Sequence, residues 1–328
     1  MLRRRTFIGS ALGAAAVSAL PKSAFAHIMS SFQLYDTHAH FYTDDVANYP
    51  IDGSTARYGV EEVTARIMAN PKTPEVIFDS WSDGNVGKGV AVQYGSAYLY
   101  DNSYIIDISK QYPKRITPVV ILDDHDPATA ATVERMTKED KISGIRFRGF
   151  APEGETMHYF LSDEVAEIWQ TANQLGIAIV LMPHTRGDTR GAVLARMAEL
   201  AVKYPNVNLI LDHMAFPKPV AGEERFGFYP EHLELAKLPN VYYKYTNLLI
   251  EQLRGGKVEL QPFVEYSAEL FGTDKIIWGS DYGNTAGRMV DLVHDALDSA
   301  GRLPLAQQKE MFFDTADRIH VPGGRGAA

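Results

Sequence analysis

Leu34-Tyr35-Asp36-Thr37-His38-Ala39-His40 is an apolar, β-rich run that ends in two histidines separated by one residue. Seven further runs of this kind follow along the chain, each short enough to be a buried strand. Strands that are covered on both faces read as near-continuous apolar runs, which is typical of parallel sheets. The eight predicted strands are residues 32–40, 89–94, 116–122, 142–149, 177–184, 207–214, 241–247 and 276–282.

Helical patterns lie between most of these strands, at residues 162–175, 189–204, 262–271 and 289–299. Eight strands that alternate with helices predict an α/β fold of the (β/α)8 TIM-like barrel type. Long connections after the first strand (41–88) and the sixth (215–232) predict a distorted barrel with large loops on the catalytic face. The alternative is a doubly wound open sheet, but the first strand is not followed by a Gly-rich phosphate fingerprint.

Residues 1–26 have the features of a secretory signal peptide. A basic segment, Arg3-Arg4-Arg5, precedes an apolar run, and Ala24-Phe25-Ala26 matches a cleavage signal. The segment Arg4-Arg5-Thr6-Phe7-Ile8 also resembles the twin-arginine export motif, although Gly9 stands where that motif usually has Lys. We therefore expect the twin-arginine machinery as an export partner, a periplasmic or secreted location, and a single barrel domain at 27–328. An ordinary secretory signal with a chance Arg pair is the alternative.

The composition excludes several classes of partner. The chain has 328 residues, no Cys and a formal net charge of -9. Removal of residues 1–26 would change that charge to -13, because it takes away four basic residues and no acid. So acidic a chain, without a Lys/Arg-rich run, argues against nucleic acid as a partner. No apolar stretch of about 18 residues follows the signal, which argues against stable membrane association. A homo-oligomer is left open.

Polar residues end four of the predicted strands. His38 and His40 are two residues apart and so share a face of the first strand. His184 ends the fifth strand, and His213 and Asp281 lie at the ends of the sixth and the eighth. These strand ends meet at the catalytic face of a barrel, where polar side chains are costly unless paired or functional. Alone, the two histidines of the first strand could lie on the surface, but their position at a strand end argues against that.

With these residues the chain resembles the amidohydrolase superfamily, in the branch called amidohydrolase-related or amidohydrolase family 2. The resemblance spans residues 34 to about 320. The features most similar to the lactonase group of that branch, which includes pyrone-dicarboxylate lactonase, fuconolactonase and sulfomuconolactone hydrolase, are Tyr49-Pro50, Gly-Ile-Arg-Phe, Asp-His-Met and the Lys244 strand. The matching segments are Asp36-Thr37-His38-Ala39-His40, Gly144-Ile145-Arg146-Phe147, His184, Asp212-His213-Met214, Lys244 and Trp278-Gly279-Ser280-Asp281.

The resemblance implies that His38, His40, His184 and Asp281 hold one divalent metal ion, with zinc as the favoured ion. It also implies that Asp281 is the general base for a metal-activated water, and that His213 polarises the substrate carbonyl or orients the water. These roles are chemically coherent, because Zn2+ lowers the pKa of its bound water to about 7 and polarises an ester carbonyl. The fourth strand lacks a Lys that could bridge two metals, which argues for a single ion.

Basic residues on neighbouring strands are candidates for substrate binding. Arg146 and Arg148 share a face of the fourth strand, and an inward-facing guanidinium would bind a carboxylate of the substrate. The alternative is an internal pair with an acid such as Asp36. Lys244, on the seventh strand, would either bind an anion or form an internal salt bridge.

The other polar candidates are expected to have supporting roles. Asp212 directly precedes His213, so we expect it on the opposite face of its strand, in packing or in support of the metal site. His125 is expected in a solvated turn. Four more histidines are expected to be structural or exposed, namely His158, His232, His294 and His320.

Together these features predict a metal-dependent hydrolase of a small acidic ester, with a lactone as the favoured substrate. Non-oxidative decarboxylation of a small unsaturated or aromatic acid is the enzyme alternative, since this branch performs it with nearly the same ligands. A barrel that binds a small molecule or a metal without turnover is a third hypothesis. For such a barrel we would expect one of the five central residues to be lost, and all five are present.

Overall fold

Eight parallel strands follow one another in sequence order around a nearly closed (β/α)8 barrel. This architecture confirms the predicted fold class, including the long connections after the first and sixth strands. The computed structural model describes Met29 and residues 31–326, so the predicted signal peptide lies outside the described residues. The strands are β1 (Leu34–Ala39), β2 (Val86–Val92), β3 (Ile116–Ile121), β4 (Gly144–Phe150), β5 (Ala178–His184), β6 (Asn208–Leu211), β7 (Val241–Thr246) and β8 (Ile276–Gly279).

Helices connect the strands and form the outer layer. Among the described residues, none of them is long and apolar enough to cross a membrane. The helix predicted at 289–299 has those bounds, whereas the one predicted at 162–175 begins only at Ala166. The helices are α1 (Val60–Ala69), α2 (Pro74–Asp83), α3 (Gly95–Tyr98), α4 (Ser103–Gln111), α5 (Thr129–Glu139), α6 (Ala166–Leu175), α7 (Arg190–Lys203), α8 (Pro230–Leu235), α9 (Asn247–Gly255), α10 (Leu260–Phe271), α11 (Met289–Ser299), α12 (Leu305–Lys309) and α13 (Thr315–Ile319).

The barrel interior is apolar at its N-terminal end and polar at its mouth. Val90, Val180, Ile210 and Ile277 belong to one buried cluster, which α13 covers from below. Side chains alternate between the two faces of a strand, so positions two residues further along the same face point towards the mouth. In β5, β6 and β8 the inner row therefore changes from aliphatic (Val180, Ile210 and Ile277) to polar (His184, Asp212 and Asp281) towards the C-terminal end.

The seam between β8 and β1 is closed by a short bridge and by side chains. Ala39 pairs with Tyr282, and His40 N donates to Tyr282 O over 2.9 Å. Asp36 accepts hydrogen bonds from Ser280 N at 2.8 Å and from Ser280 Oγ at 2.5 Å. These contacts fix the end of β1 against the segment that follows β8, where the predicted site residues lie.

Candidate active site

A bulge in β1 directs both histidines of His38-Ala39-His40 into the barrel mouth. Between Asp36 and Ala39, β1 has one residue more than β2 opposite it. Tyr35 belongs to the inner cluster, so strict alternation would have turned His38 outward. Because a bulge leaves one extra residue unpaired, it changes which residues face inward. His38 and Tyr35 can thus both lie inside.

Two glycines leave room for these histidines. A Cβ at position 279 would lie 2.6 Å from His38 Cβ, and one at position 283 would lie 2.6 Å from His40 O. Non-bonded carbons pack at about 3.5–4.0 Å, so neither place admits a side chain. Gly283 also has a φ of 93°, which favours glycine. The close approach of β8 and its following loop to β1 depends on both residues.

His38, His40 and Asp281 form the centre of the site. One ligand atom from each residue lies within 4.8 Å of the other two. Asp281 Oδ1 is 3.5 Å from His38 Nε2 and 3.4 Å from His40 Nε2. His40 Nδ1 hydrogen-bonds to Val92 O over 2.9 Å, which leaves Nε2 of that ring for the cluster. All three side chains are buried.

Asp281 is oriented by its own loop. Its Oδ2 accepts hydrogen bonds from Asn284 Nδ2 at 2.9 Å and from Thr285 Oγ1 at 2.8 Å. Oδ1 is therefore the oxygen that faces the two histidines. The backbone of Asp281 is left-handed, with a φ of 55°, a conformation that is uncommon outside glycine and is often found at functional sites.

The protonation states at this centre suit a divalent metal ion. Burial holds the pKa of His38 well below its usual value, although the Asp212 carboxylate works against it. Burial would raise the pKa of Asp281, but the hydrogen bond with His40 and the nearby histidines outweigh it and lower that pKa. Metal ligands must be neutral imidazoles and ionised carboxylates. Neither ring nitrogen of His38 has a hydrogen-bond partner among the described residues, and two imidazoles with a carboxylate are a donor set that fits zinc.

His184, the fourth predicted ligand, lies in the same cleft but outside the cluster of three. Its ring packs between Phe150 and Phe216, with centroid distances of 5.0 Å and 5.9 Å. His158 Nε2 lies 3.0 Å from His184 O, which gives His158 the expected structural role. Burial, followed by the charge of Arg148, lowers the pKa of His184 to about 4. His184 is thus neutral and close to the centre.

A left-handed turn brings His213 into the site. His213, Met214, Ala215 and Phe216 all have φ between 51° and 55°, and such residues each cost on the order of 1 kcal/mol or more. His213 Nδ1 hydrogen-bonds to Thr246 Oγ1 over 2.6 Å. The buried His232 ring hydrogen-bonds to Met214 O, so it fastens the turn. Burial lowers the pKa of His213 to about 4, which leaves a neutral imidazole beside the cluster.

Asp212 lies inside the barrel, which corrects the expectation that it faces away from the site. Ile210 is an inner residue of β6, and Asp212 follows on the same face. Asp212 Oδ1 is 2.9 Å from Lys244 Nζ and 3.5 Å from His38 Nδ1, and Oδ2 is 2.8 Å from Arg146 Nε. Lys244 and Arg146 outweigh the burial of Asp212 and hold its pKa well below its usual value. Asp212 therefore supports His38 from beneath the cluster of His38, His40 and Asp281.

The predicted role of Lys244 in substrate binding needs correction as well. Its side chain is 0% exposed and forms an ion pair with Asp212. Of the two roles expected for Lys244, anion binding or an internal salt bridge, the structure therefore contains the salt bridge. Arg146 also pairs with that acid, rather than with Asp36, but it reaches the lining of the cleft. Arg148 lines the cleft and donates to Thr55 Oγ1 over 3.0 Å.

The cleft above the cluster has a volume of about 540 Å3. His40, His184, His213 and Asp281 lie on its floor and walls. His125 is outside it, exposed and stacked on Tyr159. Arg57, Arg146, Arg148 and Arg190 are among the described residues that line it, and Asp281 is the only carboxylate among those lining residues. The cleft is therefore positively charged in a protein that is acidic as a whole.

Three residues of the site were not among the site residues predicted from the sequence. Asn284 and Thr285 donate hydrogen bonds to Asp281 and follow it by three and four residues. Because this spacing is local, the sequence could have indicated that they orient Asp281. Arg190 reaches the cleft from the first position of α7. The sequence held no signal for Arg190, because the fold of the preceding loop decides where that side chain points.

Comparison with known proteins identifies relatives along most of the chain. A family model described as amidohydrolase matches residues 35–319. An L-fucono-1,5-lactonase from Burkholderia ambifaria is 24% identical over 188 residues, which are 56% of this chain. The aligned region spans only 60% of the length of that lactonase.

Solved structures share the fold at low identity. A Pseudomonas putida protein proposed to be a 2-pyrone-4,6-dicarboxylic acid hydrolase has a TM-score of 0.66 and 19% identity, over 88% of this chain and 97% of its own. An amidohydrolase from Burkholderia multivorans with bound zinc has a TM-score of 0.65 and 19% identity, over 89% and 100%. The 2,6-dihydroxybenzoate decarboxylase from Rhizobium has a TM-score of 0.64 and 14% identity, over 88% and 98%.

Proposed function

The chain belongs to the amidohydrolase family and is an enzyme, and on that premise we propose that it is a metal-dependent hydrolase of a small acidic ester, with a lactone as the favoured substrate. The observation that carries the proposal is the cluster of His38, His40 and Asp281 at the floor of an arginine-lined cleft. The relatives support it in part, because they include a lactonase and an amidohydrolase with bound zinc.

In this proposal His38, His40 and Asp281 hold one divalent ion, and His184 completes the set from the wall of the cleft. Zinc is the favoured ion; when bound it would lower the pKa of a water to about 7 and polarise a carbonyl. Asp281 Oδ1 takes the proton from the attacking water, because Oδ2 is occupied by Asn284 and Thr285. His213, neutral and held by Thr246, orients the carbonyl or the water. Arg148 and Arg146 attract the acidic group of the substrate.

Non-oxidative decarboxylation is the second candidate. A decarboxylase shares the fold, and the same cluster and arginines would suit a carboxylic acid substrate equally well. The products distinguish the two reactions. Ring opening of a lactone adds one water to the substrate, whereas decarboxylation removes CO2 and shortens the carbon skeleton by one atom.

Mass spectrometry of the products is therefore the deciding experiment. Zinc-loaded full-length enzyme would be incubated with acidic lactones and with small unsaturated or aromatic acids, and the Asp281→Asn variant would be the matched control. A gain of one water that the variant does not produce is the result expected. Loss of CO2 would replace the lactonase proposal with the decarboxylase and leave the metal cluster unaffected.

We also propose that the enzyme is exported by the twin-arginine route and works in the periplasm or outside the cell. The proposal is based on the pattern of residues 1–26 alone. Fractionation of cells that express the full chain or an Arg4→Lys, Arg5→Lys variant tests it. Retention of the variant, and not of the wild type, in the cytoplasm is the result expected. Equal export of both would indicate an ordinary secretory signal.

A further inference from the structure

Two imidazoles of the cleft, those of His40 and His213, differ in what their Nδ1 atoms contact. His40 Nδ1 lies 2.9 Å from Val92 O, and a carbonyl oxygen can only accept a hydrogen bond. A neutral His40 therefore carries its proton on Nδ1 and presents the lone pair of Nε2 to the side where Asp281 lies. His213 Nδ1 lies 2.6 Å from Thr246 Oγ1 instead. A hydroxyl both donates and accepts, so the other contacts of Thr246 decide where the proton of His213 sits.

The second hydrogen bond of Thr246 leaves its hydroxyl proton for His213. Thr246 directly precedes α9, and its Oγ1 accepts from Leu249 N over 3.3 Å. This contact uses a lone pair of the oxygen, because a backbone amide can only donate. Among the described residues, His213 Nδ1 is the acceptor that remains for the hydroxyl. Thr246 is buried, and a buried donor without an acceptor costs about 1–3 kcal/mol. Thr246 Oγ1 therefore donates to His213 Nδ1.

Packing holds the His213 ring in this orientation. The centre of the ring lies 5.5 Å from that of His38 and 4.9 Å from that of Phe216, so the ring is confined between two others. A ring turned over would place a carbon against Thr246 Oγ1 and lose the hydrogen bond of 2.6 Å. Because Nδ1 accepts, a neutral ring carries its one proton on Nε2. In this form Nε2 donates a hydrogen bond and has no lone pair for a metal ion.

From these contacts we propose that Thr246 is a positioning residue that fixes His213 as the tautomer protonated at Nε2. His40 and His213, which both line the cleft, then face it in opposite forms, one with a lone pair and the other with an N–H group. The inference rests on the proposed function and deepens it, because that function leaves His213 either the carbonyl or the water. A water that attacks must keep a lone pair free, so the Nε2–H group serves the carbonyl oxygen of the substrate.

Nitrogen NMR spectroscopy of the histidine rings tests the tautomer without turnover. The zinc-loaded full chain, isotopically labelled at its histidine nitrogens, would be measured at about pH 8, above the ordinary histidine pKa of about 6.5. The chemical shifts distinguish a protonated ring nitrogen from an unprotonated one, and the signals that are lost in His213→Gln identify this ring. We expect Nε2 of His213 to be protonated and Nδ1 to be unprotonated.

Three substitutions of Thr246 separate the donated proton from the helix cap. Thr246→Ser keeps both, Thr246→Asp keeps the cap but can only accept, and Thr246→Val keeps neither. We expect Thr246→Ser to preserve the Nε2–H form, and Thr246→Asp to move the proton to Nδ1. Zinc content and melting temperature show that each variant is folded.

The same variants should change kcat and leave KM nearly unchanged, because a donor to the developing oxyanion acts in the transition state. Loss of such a donor lowers kcat by about 100-fold to 1,000-fold, which is the fall expected for Thr246→Asp. Thr246→Ser should keep most of the rate, and Thr246→Val should lie between the two. Thr137→Val is the matched control, because Thr137 is a buried threonine of α5 whose hydroxyl donates to Val133 O and which is not part of the cleft lining.

Three results would overturn the inference. The first is a wild-type His213 that is protonated at Nδ1, which needs no substitution of Thr246 to detect. The others are a Thr246→Asp protein whose His213 keeps its proton on Nε2, and a Thr246→Val protein with the kinetics of Thr137→Val. Failure of the proposed function is separate from these results. The expected tautomer in a protein that hydrolyses no lactone would remove only the proposed reaction, whereas lactone hydrolysis with His213 protonated at Nδ1 would remove only the inference.

Discussion

Replacement of Asp281 by Asn should remove a metal ligand and the general base in one step. Asn284 and Thr285 both donate to Oδ2 of Asp281, so the carbonyl oxygen of an Asn would stay at that place. Its NH2 group would then occupy the position of Oδ1, 3.4 Å from His40 Nε2. An amide nitrogen has no lone pair to offer a cation or a proton. The backbone should tolerate the change, because Asn is common at the left-handed φ of 55° found here.

The size of the effect follows from the two roles. A positioned general base contributes about 100-fold to 10,000-fold to the rate, and the loss of one ligand weakens metal binding in addition. We expect kcat to fall by at least about 100-fold, with zinc content well below one per chain. Thr285→Val is the matched control: it removes one donor to Oδ2 but keeps the carboxylate, so its loss of rate should be much smaller.

Two measurements decide the outcome. Acid release from a lactone in weak buffer gives kcat, and elemental analysis of the same preparation gives the metal content. If Asp281→Asn kept a near-normal rate with one zinc bound, Asp281 would be neither base nor essential ligand. If the rate fell while zinc stayed at one per chain, the base role alone would survive.

Three further predictions concern the metal, the buried charges and pH. Wild-type protein purified without chelator should contain about one divalent ion per chain; undiminished activity with no metal detected by elemental analysis would refute this. Asp212→Asn should destabilise the fold by about 3–5 kcal/mol in urea unfolding, because it leaves the buried Arg146 and Lys244 unpaired, and a second change, Lys244→Met, should recover part of the loss. Burial lowers the pKa of His320 from 6.5 to about 3, so the native state binds fewer protons than the unfolded one. The contribution of His320 to the stability should fall as the pH drops from 6.5 towards 3, by about 2 kcal/mol at about pH 5. His320→Gln should flatten that part of the curve, and an unchanged slope would show that His320 does not titrate this way.

The pattern of the strands was readable from the sequence because parallel strands buried on both faces must be apolar throughout. All eight predicted runs correspond to strands. The largest errors at the carboxyl ends of strands fell where function interrupts the pattern. The sixth strand was predicted to reach Met214 but ends at Leu211, and the eighth was predicted to reach Tyr282 but ends at Gly279. In both places the chain leaves the sheet through left-handed residues, whose conformation the apolar pattern does not specify.

The site, like the strands, was predictable from the sequence in part only. The sequence determined that His38, His40, His184, His213 and Asp281 come to one end of the barrel, because the carboxyl ends of parallel strands share that end. Tertiary structure decided which way each side chain points. The β1 bulge turns His38 inward, the turn after β6 lets Asp212 and His213 both face the centre, and Asp212 takes up the charges of Arg146 and Lys244. Bulges, left-handed turns and ion pairs depend on contacts between residues that are distant in the chain, so no local pattern of residues could have specified them.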